Sequence, residues 1–520
     1  MKRVVYLILA TAACGGNEPG PAPLPHGTAA PTSTPVASAS APSDPLGPKP
    51  EPAPPAAFVP PAPVQYKSAL GFDVWLLERH TLPIVAVTVV ARSGAAVDPP
   101  GKAGTAFLSA RMLTEGAGTR GAIEFSQAVD ALGADLGATA YGDYSAASLV
   151  ALKGKVGPAL ALLGDAVVRP RFAEADFKRA KGLWIDDLKS EQKEPKAISE
   201  AATAELLFGK THPYGHVRTG SLDDAPRITL GDVKDAHRRT FAKDRTTVVV
   251  AGDIDRATLD AELAKAFAGY GQNELPAAAL PKVDASYKPP FGRVVIVDRP
   301  GASQAIVSLV APGVAAGTSD SIRLARVNAA LGGSFTSRLN QDLREERGLS
   351  YGASSRFGFS QREGLFSASA AIFEAKASEG IEALVKDVAA YAKSGPTDEE
   401  VEKTRLLARG DLVESFEGAA QSASRLGRNA GVGLPPDFES RASKERDGAS
   451  KADLVALAQK YMPVQRAFLL VVGPPTAADA ALPKLKELGF EGAPIHYKLG
   501  SGNLASAAST PPAAKKGGAK

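Results

Sequence analysis

The strongest constraint on this chain's fold is that a long stretch of it occurs twice. The run G-D-V-K-D-A-H-R-R-T-F followed by T-T-V-V-V-A-G-D-I-D, Gly231 to Asp255, returns as A-D-L-V-A-L-A-Q-K-Y-M followed by A-F-L-L-V-V-G-P-P, Ala452 to Pro475. Asp232 corresponds to Asp453 and Gly252 to Gly473, 221 residues apart in both cases. The openings match as well: Val74-Trp75-Leu76-Leu77 leads to Ile84 through Ala91, and Val294-Val295-Ile296-Val297 leads to Ile306 through Ala311. A repeat of this kind implies two copies of one domain. We place them at 65–272 and 290–492, joined by a Pro/Ala-rich linker at 273–289.

Within the first copy, short β-branched runs alternate with longer helical patterns. Ile123 to Leu132 has helical spacing and stops at Gly133, and strand-like runs follow at Asp135 to Tyr141 and Ala146 to Leu152, with Gly142-Asp143 as the turn. Helical spacing resumes at Val156 to Val168, Ala173 to Glu191, Ile198 to Phe208 and Asp232 to Phe241, and Thr246 to Ala251 closes the copy as a buried strand. Hairpins mixed with helix-length segments predict an α+β fold: two homologous domains, each a mainly antiparallel sheet covered by helices on one face, arranged as a clamp.

The flanks have another composition. Met1 to Ala13 has a basic start, Lys2-Arg3, and an apolar run ending just before Cys14, the only cysteine in the chain. Residues 1–14 therefore read as a lipoprotein-type signal with Cys14 as the lipidated residue, although Thr11, where Leu is usual, leaves a plain secretory signal open. This predicts a membrane anchor through Cys14 and a place in the bacterial cell envelope, at the periplasmic face of the outer membrane. Residues 15–64 are rich in Pro, Ala and Ser and read as a disordered tether, and 493–520 as a disordered tail. With 60 Lys and Arg against 56 Asp and Glu, the net charge of +4 leaves no footprint for nucleic acid. One cysteine also excludes a disulfide framework or a Cys-based zinc site within the chain.

The stretch with most chemical interest is Gly101 to Arg120, G-K-A-G-T-A-F-L-S-A-R-M-L-T-E-G-A-G-T-R. Three further places belong with it. His212-Pro213-Tyr214-Gly215 precedes Gly220; Leu230 to Asp255 forms the closing helix and strand; and Leu331 to Gly352 reads L-G-G-S-F-T-S-R-L-N-Q-D-L-R-E-E-R-G-L-S-Y-G. Together these resemble the pitrilysin, insulinase and mitochondrial-processing-peptidase family, the inverzincins, over both repeats.

In that family two His and a Glu on the first of these helices hold zinc and activate water. The matching positions here are Ala106, Ser109 and Ala110. Residues at i and i+4 share one helix face, so two imidazoles there can hold one ion; two methyls and a hydroxymethyl cannot. The position matching the family's third ligand, a Glu, is Asp187, one methylene shorter. The spacing of His212 and His216 would suit a metal pair on a helix, but Pro213 and Gly215 between them argue for a loop.

The resemblance assigns an Arg and a Tyr of the second domain to substrate and transition state, and Arg344 and Tyr351 match them in type and spacing. A guanidinium and a phenol suit a peptide carbonyl and a developing oxyanion. It also implies that an edge strand accepts an extended peptide, and Leu136-Gly137-Ala138-Thr139-Ala140 occupies that place.

The expected function is the non-catalytic subunit of a two-subunit zinc metallopeptidase. The chain would bind no cofactor itself and would lend Arg344, Tyr351 and a peptide-holding wall to a homologous partner with an intact H-x-x-E-H, which carries the zinc and acts on a peptide or unfolded protein. Two other readings stand beside it: a lipid-anchored peptide-binding or scaffold protein without peptidase activity, and an active zinc metalloendopeptidase with an unorthodox metal site.

Overall fold

The repeat persists in the local chemistry of the computed structural model, which describes residues 58–501. Thr229 begins a helix by accepting from Asp232 N while the Asp232 carboxylate takes Thr229 N, and Ser450 and Asp453 form the same reciprocal cap. The expected signal segment with Cys14, most of the expected tether and the part of the expected tail beyond residue 501 lie outside the described residues.

The first repeat opens with β1 (Val64–Lys67), β2 (Asp73–Glu78) and β3 (Ile84–Ala91), followed by α1 (Thr105–Arg111) and α2 (Ala122–Asp130). A hairpin of β4 (Asp135–Ala140) and β5 (Ser145–Leu152) leads to three long helices, α3 (Val156–Val168), α4 (Glu174–Glu191) and α5 (Pro195–Phe208). It closes with α6 (Leu230–Thr240), β6 (Thr246–Gly252) and α7 (Arg256–Ala266).

The second repeat begins with β7 (Val294–Asp298), β8 (Gln304–Pro312) and α8 (Ser319–Leu331). A short α9 (Arg338–Asn340) runs on as a π-helical turn over Gln341–Glu346, and the hairpin β9 (Ser350–Phe359) and β10 (Gly364–Phe373) follows. Next come α10 (Ala377–Ser394), α11 (Asp398–Ser415), α12 (Ala419–Gly431), α13 (Phe438–Asp447) and α14 (Lys451–Tyr461). The last elements are β11 (Phe468–Gly473), α15 (Leu482–Glu487) and β12 (Ile495–His496).

Each repeat forms a six-stranded sheet, β1-β2-β6-β3-β5-β4 and β12-β7-β11-β8-β10-β9. Pairing is antiparallel except for β2 with β6, β7 with β11 and β7 with β12, so the sheets are mixed but mainly antiparallel, and the fold is α+β. Each repeat's own helices cover one face: Leu108, Leu163, Trp184 and Val233 meet Val87, Leu149 and Val250 in the first core.

The second face of each sheet is covered by the other repeat. Leu412 of α11, Phe416 just beyond its end, and Ala423, Leu426 and Ala430 of α12 pack on Trp75, Ala86, Val90 and Val249. Reciprocally, Ile198, Ala202, Leu206 and Leu207 of α5 pack on Val295, Val310, Phe468 and Leu470, where Ser199 Oγ and Ser308 Oγ also meet at 3.2 Å. This explains why every residue of β6 and β11 is buried, since a strand covered on both faces has an unbroken apolar run. The fit is tight: a Cβ on Gly431 would stand 2.4 Å from Tyr144 Cγ.

One boundary differs from expectation. The tail read as starting at 493 is ordered through residue 501, because Ile495–His496 adds β12 to β7 and buries Tyr497 beside the sheet. His496, expected near a flexible segment, pairs with Asp298 at 2.8 Å. At the other end, Phe58, within the expected tether, packs against the cluster beneath α12.

Candidate functional site

The helix with the degenerate motif is started by a buried carboxylate. Asp98 accepts from Gly104 N at 2.7 Å and Ala106 N at 2.8 Å, satisfying donors that a helix start leaves open. Burial pushes its pKa up to about 7, against the pull of those N–H groups. Gly104 sits at φ +100° and Gly220 at φ +85°. A Cβ on Gly104 would stand 2.5 Å from Trp184, and one on Gly220 would stand 2.4 Å from Ala103 O. The loop before α1 therefore touches the loop after His-Pro-Tyr-Gly backbone to backbone, as only glycine allows.

Ala106, Ser109 and Ala110 are all buried. The two alanines cluster with Ala140 of β4, and Ser109 Oγ donates to Val233 O of α6 at 3.0 Å. Methyl packing and a satisfied hydroxyl occupy the face where metal chemistry would have to stand. Asp187, on α4, is exposed and is held by Arg111 Nη1 at 3.2 Å. Zinc needs three protein ligands, and a single carboxylate engaged by a guanidinium does not supply them. The residues present do not fit the ion.

The other histidines are committed elsewhere. His212 Nδ1 accepts from Tyr214 N at 3.1 Å and its Nε2 faces Glu363 at 3.3 Å, tying this loop to the β9–β10 turn. His216 Nδ1 lies 3.1 Å from Val217 O. His237 Nε2 lies 2.9 Å from Val167 O, and burial holds its pKa down at about 4. Among the described residues no group of three His, Cys, Asp or Glu converges as a metal site.

The predicted peptide-holding strand is an edge. β4 pairs with β5 alone. Its last residues are partly shielded: Arg218 Nη1 donates to Thr139 Oγ1 and to Ala140 O, both at 3.2 Å. Because alternate residues of a strand direct their backbone groups to the same side, the outward Ala140 carbonyl places those of Ala138 and Leu136 on the open edge. Gly137 and Thr139 direct theirs to β5.

In the second repeat, the long motif divides into packing and surface. Leu339, Leu343 and Leu349 are fully buried. Arg338 grips Glu400 with Nε at 2.6 Å and lies over the Tyr391 ring at 4.9 Å. Asn340 Oδ1 accepts from Ala353 N at 2.9 Å. Phe335, unforeseen from sequence, and Tyr351 stand exposed, and Arg344 is half-buried. The Arg344 guanidinium lies 4.8 Å from the centre of the Phe335 ring and 3.3 Å from Glu345. Tyr351 is 75 % exposed at the start of β9, with its ring edge-on to Phe373. An aromatic residue directly after Gly-Gly-Ser was the available signal for Phe335. Among the described residues no hydrogen bond or ion pair joins Arg344 or Tyr351 to the first repeat.

Two interlocked α+β repeats, with Ala106, Ser109 and Ala110 buried on α1 of the first and Arg344 and Tyr351 at the surface of the second, define a metallopeptidase-like chain. The chain belongs to the insulinase family, peptidase family M16. The model described as insulinase (peptidase family M16) matches residues 74–213, and that described as the peptidase M16 inactive domain matches 227–407. An uncharacterized zinc protease of Mycobacterium bovis is 27% identical over 331 residues, 63% of this chain and 74% of that protein. The non-peptidase homolog YmxG of Helicobacter pylori is 24% identical over 364 residues, 69% of this chain and 82% of that protein. Among solved structures, a peptidase M16 inactive domain from Pseudomonas fluorescens superposes with a TM-score of 0.73 at 26% identity, covering 79% of this chain and 98% of that one. A protease from Helicobacter pylori shares the fold with a TM-score of 0.72 at 19% identity, covering 80% of this chain and all of that one.

Proposed function

We propose that this chain is the non-catalytic subunit of a two-subunit zinc metallopeptidase. It presents Arg344, Tyr351 and the β4 edge to a peptide held at the zinc site of a homologous partner with an intact H-x-x-E-H. The reading is carried by one asymmetry. The motif positions of the first repeat are buried, two of them as packed methyl groups, whereas Tyr351 stands exposed and Arg344 half-exposed, neither with a hydrogen-bond or ion-pair partner in the first repeat among the described residues. In this reading zinc belongs to the partner, and lipidation of Cys14 would keep the pair at the cell envelope.

The test is reconstitution with a homologous chain that carries H-x-x-E-H. Arg344→Ala and Tyr351→Phe should each lower kcat/KM of the pair by about a hundredfold or more, the scale of losing one oxyanion contact. Unchanged activity with either variant, or full activity of the partner alone, would overturn the reading. The open backbone of Leu136 and Ala138 also supports a plainer role, peptide holding without chemistry. That role predicts peptide affinity that is indifferent to Arg344→Ala and lost when β4 is blocked by Ala138→Pro.

A further inference from the structure

A cavity of about 1170 Å³ opens beside the loop before α1, between the ends of α4 and α5, the Lys210–Asp224 loop and the ordered segment after β12. None of the three lost motif positions lines it. Its wall is apolar at Leu188, Ile198, Val217, Leu222 and Leu499. Its volume is of the size that holds small molecules.

Glu205 is set into this wall and is only 7 % exposed. One oxygen, Oε2, accepts from Gly500 N at 3.0 Å, whereas Oε1 is buried without a hydrogen-bond partner among the described residues. A buried carboxylate oxygen left unsatisfied is costly, so the site favours an added donor, above all a cationic one. The cavity's own cations do not answer it. Lys210, Lys282 and Lys498 are exposed at the rim, and Lys210 is spent on Gly500 O. Arg227 is committed to Asp224 and Gly101 O, and Arg299 to Lys193 O. His216 faces the cavity with its pKa lowered by burial, so it brings no charge at neutral pH. Glu191 adds a second carboxyl whose pKa is raised, first by burial and then by the charge of Asp187.

We propose that this cavity binds a small organic cation, an ammonium group joined to an apolar body, with the ammonium paired to the Glu205 carboxylate in the wall and the body lying on Leu188, Ile198 and Leu222. Among the described residues no three-ligand cluster offers itself to a bare metal ion, and the apolar wall does not suit a fully hydrated one.

Calorimetric titration of the full chain with n-hexylammonium, 1-hexanol and hexanoate tests this. Saturable 1:1 binding of hexylammonium is expected, at least tenfold tighter than hexanol, a difference of about 1.4 kcal/mol, with no binding of hexanoate. Glu205→Gln, which keeps an acceptor for Gly500 N, should weaken hexylammonium binding at least tenfold. Thermal unfolding of each protein with and without the amine reports whether the variant is folded. Equal affinity for hexanol, unchanged affinity in a folded Glu205→Gln, or no saturable binding to the wild type would each overturn the proposal. Should Glu205→Gln not fold, the wild-type comparison of amine with alcohol still decides it.

Discussion

Arg111 Nη1 and Asp187 Oδ2 stand 3.2 Å apart, the cation one residue beyond the second lost ligand and the anion at the place of the third. The residue that would complete a zinc site is thereby given a fixed counter-charge. We expect Ala106→His, Ser109→Glu and Ala110→His together to yield neither stoichiometric zinc by metal analysis nor peptide cleavage. Both positions filled by alanine are buried against Ala140, so two imidazoles would also have to displace packed atoms. A triple variant that cleaves peptides would show that the site had been dismantled less than its geometry implies.

The exchange of helices predicts one unfolding transition for both repeats. Leu426→Ala on α12 removes packing from the first sheet, and Leu206→Ala on α5 removes it from the second. Each should cost about 2–5 kcal/mol and lower the denaturant midpoint recorded by probes in either repeat. Two separate transitions, with each variant moving only one, would contradict the interlock.

Asp98 gives a pH signature. Its carboxyl is raised from 3.8 to about 7 by burial, so the folded state holds a proton that the unfolded chain has already released. Between roughly pH 4 and pH 7 the native state therefore binds more protons, and stability falls as pH rises, by at most about 4 kcal/mol from this group. Above pH 7 both states are ionised and the contribution is constant. Asp98→Asn should flatten the stability profile across that window, measured by chemical denaturation at several pH values.

Glu439 has the opposite sign. It is buried in α13, and burial alone would raise its pKa, but Arg425 at 2.6 Å and Asn429 at 2.9 Å outweigh this and hold it low. The stability it contributes is present above the unfolded carboxylate pKa of about 4.3 and is lost as pH falls through the depressed folded value. Glu439→Ala leaves Arg425 and Arg446 facing an empty place and should cost about 3 kcal/mol at pH 7, with a smaller difference from wild type in acid.

Local order was legible in the sequence. The helix from Val156 to Val168 matches its pattern in full, the hairpin at Asp135 to Leu152 falls where its turn residues put it, and the cap chemistry at Asp232 recurs at Asp453. Arg344 and Tyr351 were singled out through the family resemblance, not by anything in the residues alone. What stayed hidden depends on contacts between distant residues. The apolar runs Val248 to Ala251 of β6 and Phe468 to Val472 of β11 announce two covered faces, but nothing local tells that the second cover comes from the other repeat. Arg111 and Asp187 are 76 positions apart, and neither is unusual on its own helix. Ile495-His496 is too short to register as a strand without the neighbouring β7 edge.

The exchange also sets an order in time. The first sheet is complete once β6 is made at Gly252, yet α12, which covers its second face, begins only at Ala419. At a synthesis rate of roughly 5–20 residues per second, the apolar surface around Trp75 and Val249 waits on the order of ten seconds or more for its cover. The N-terminal half is therefore born with an unfinished face, and its safe passage depends on whatever shields that face until the second half of the chain arrives.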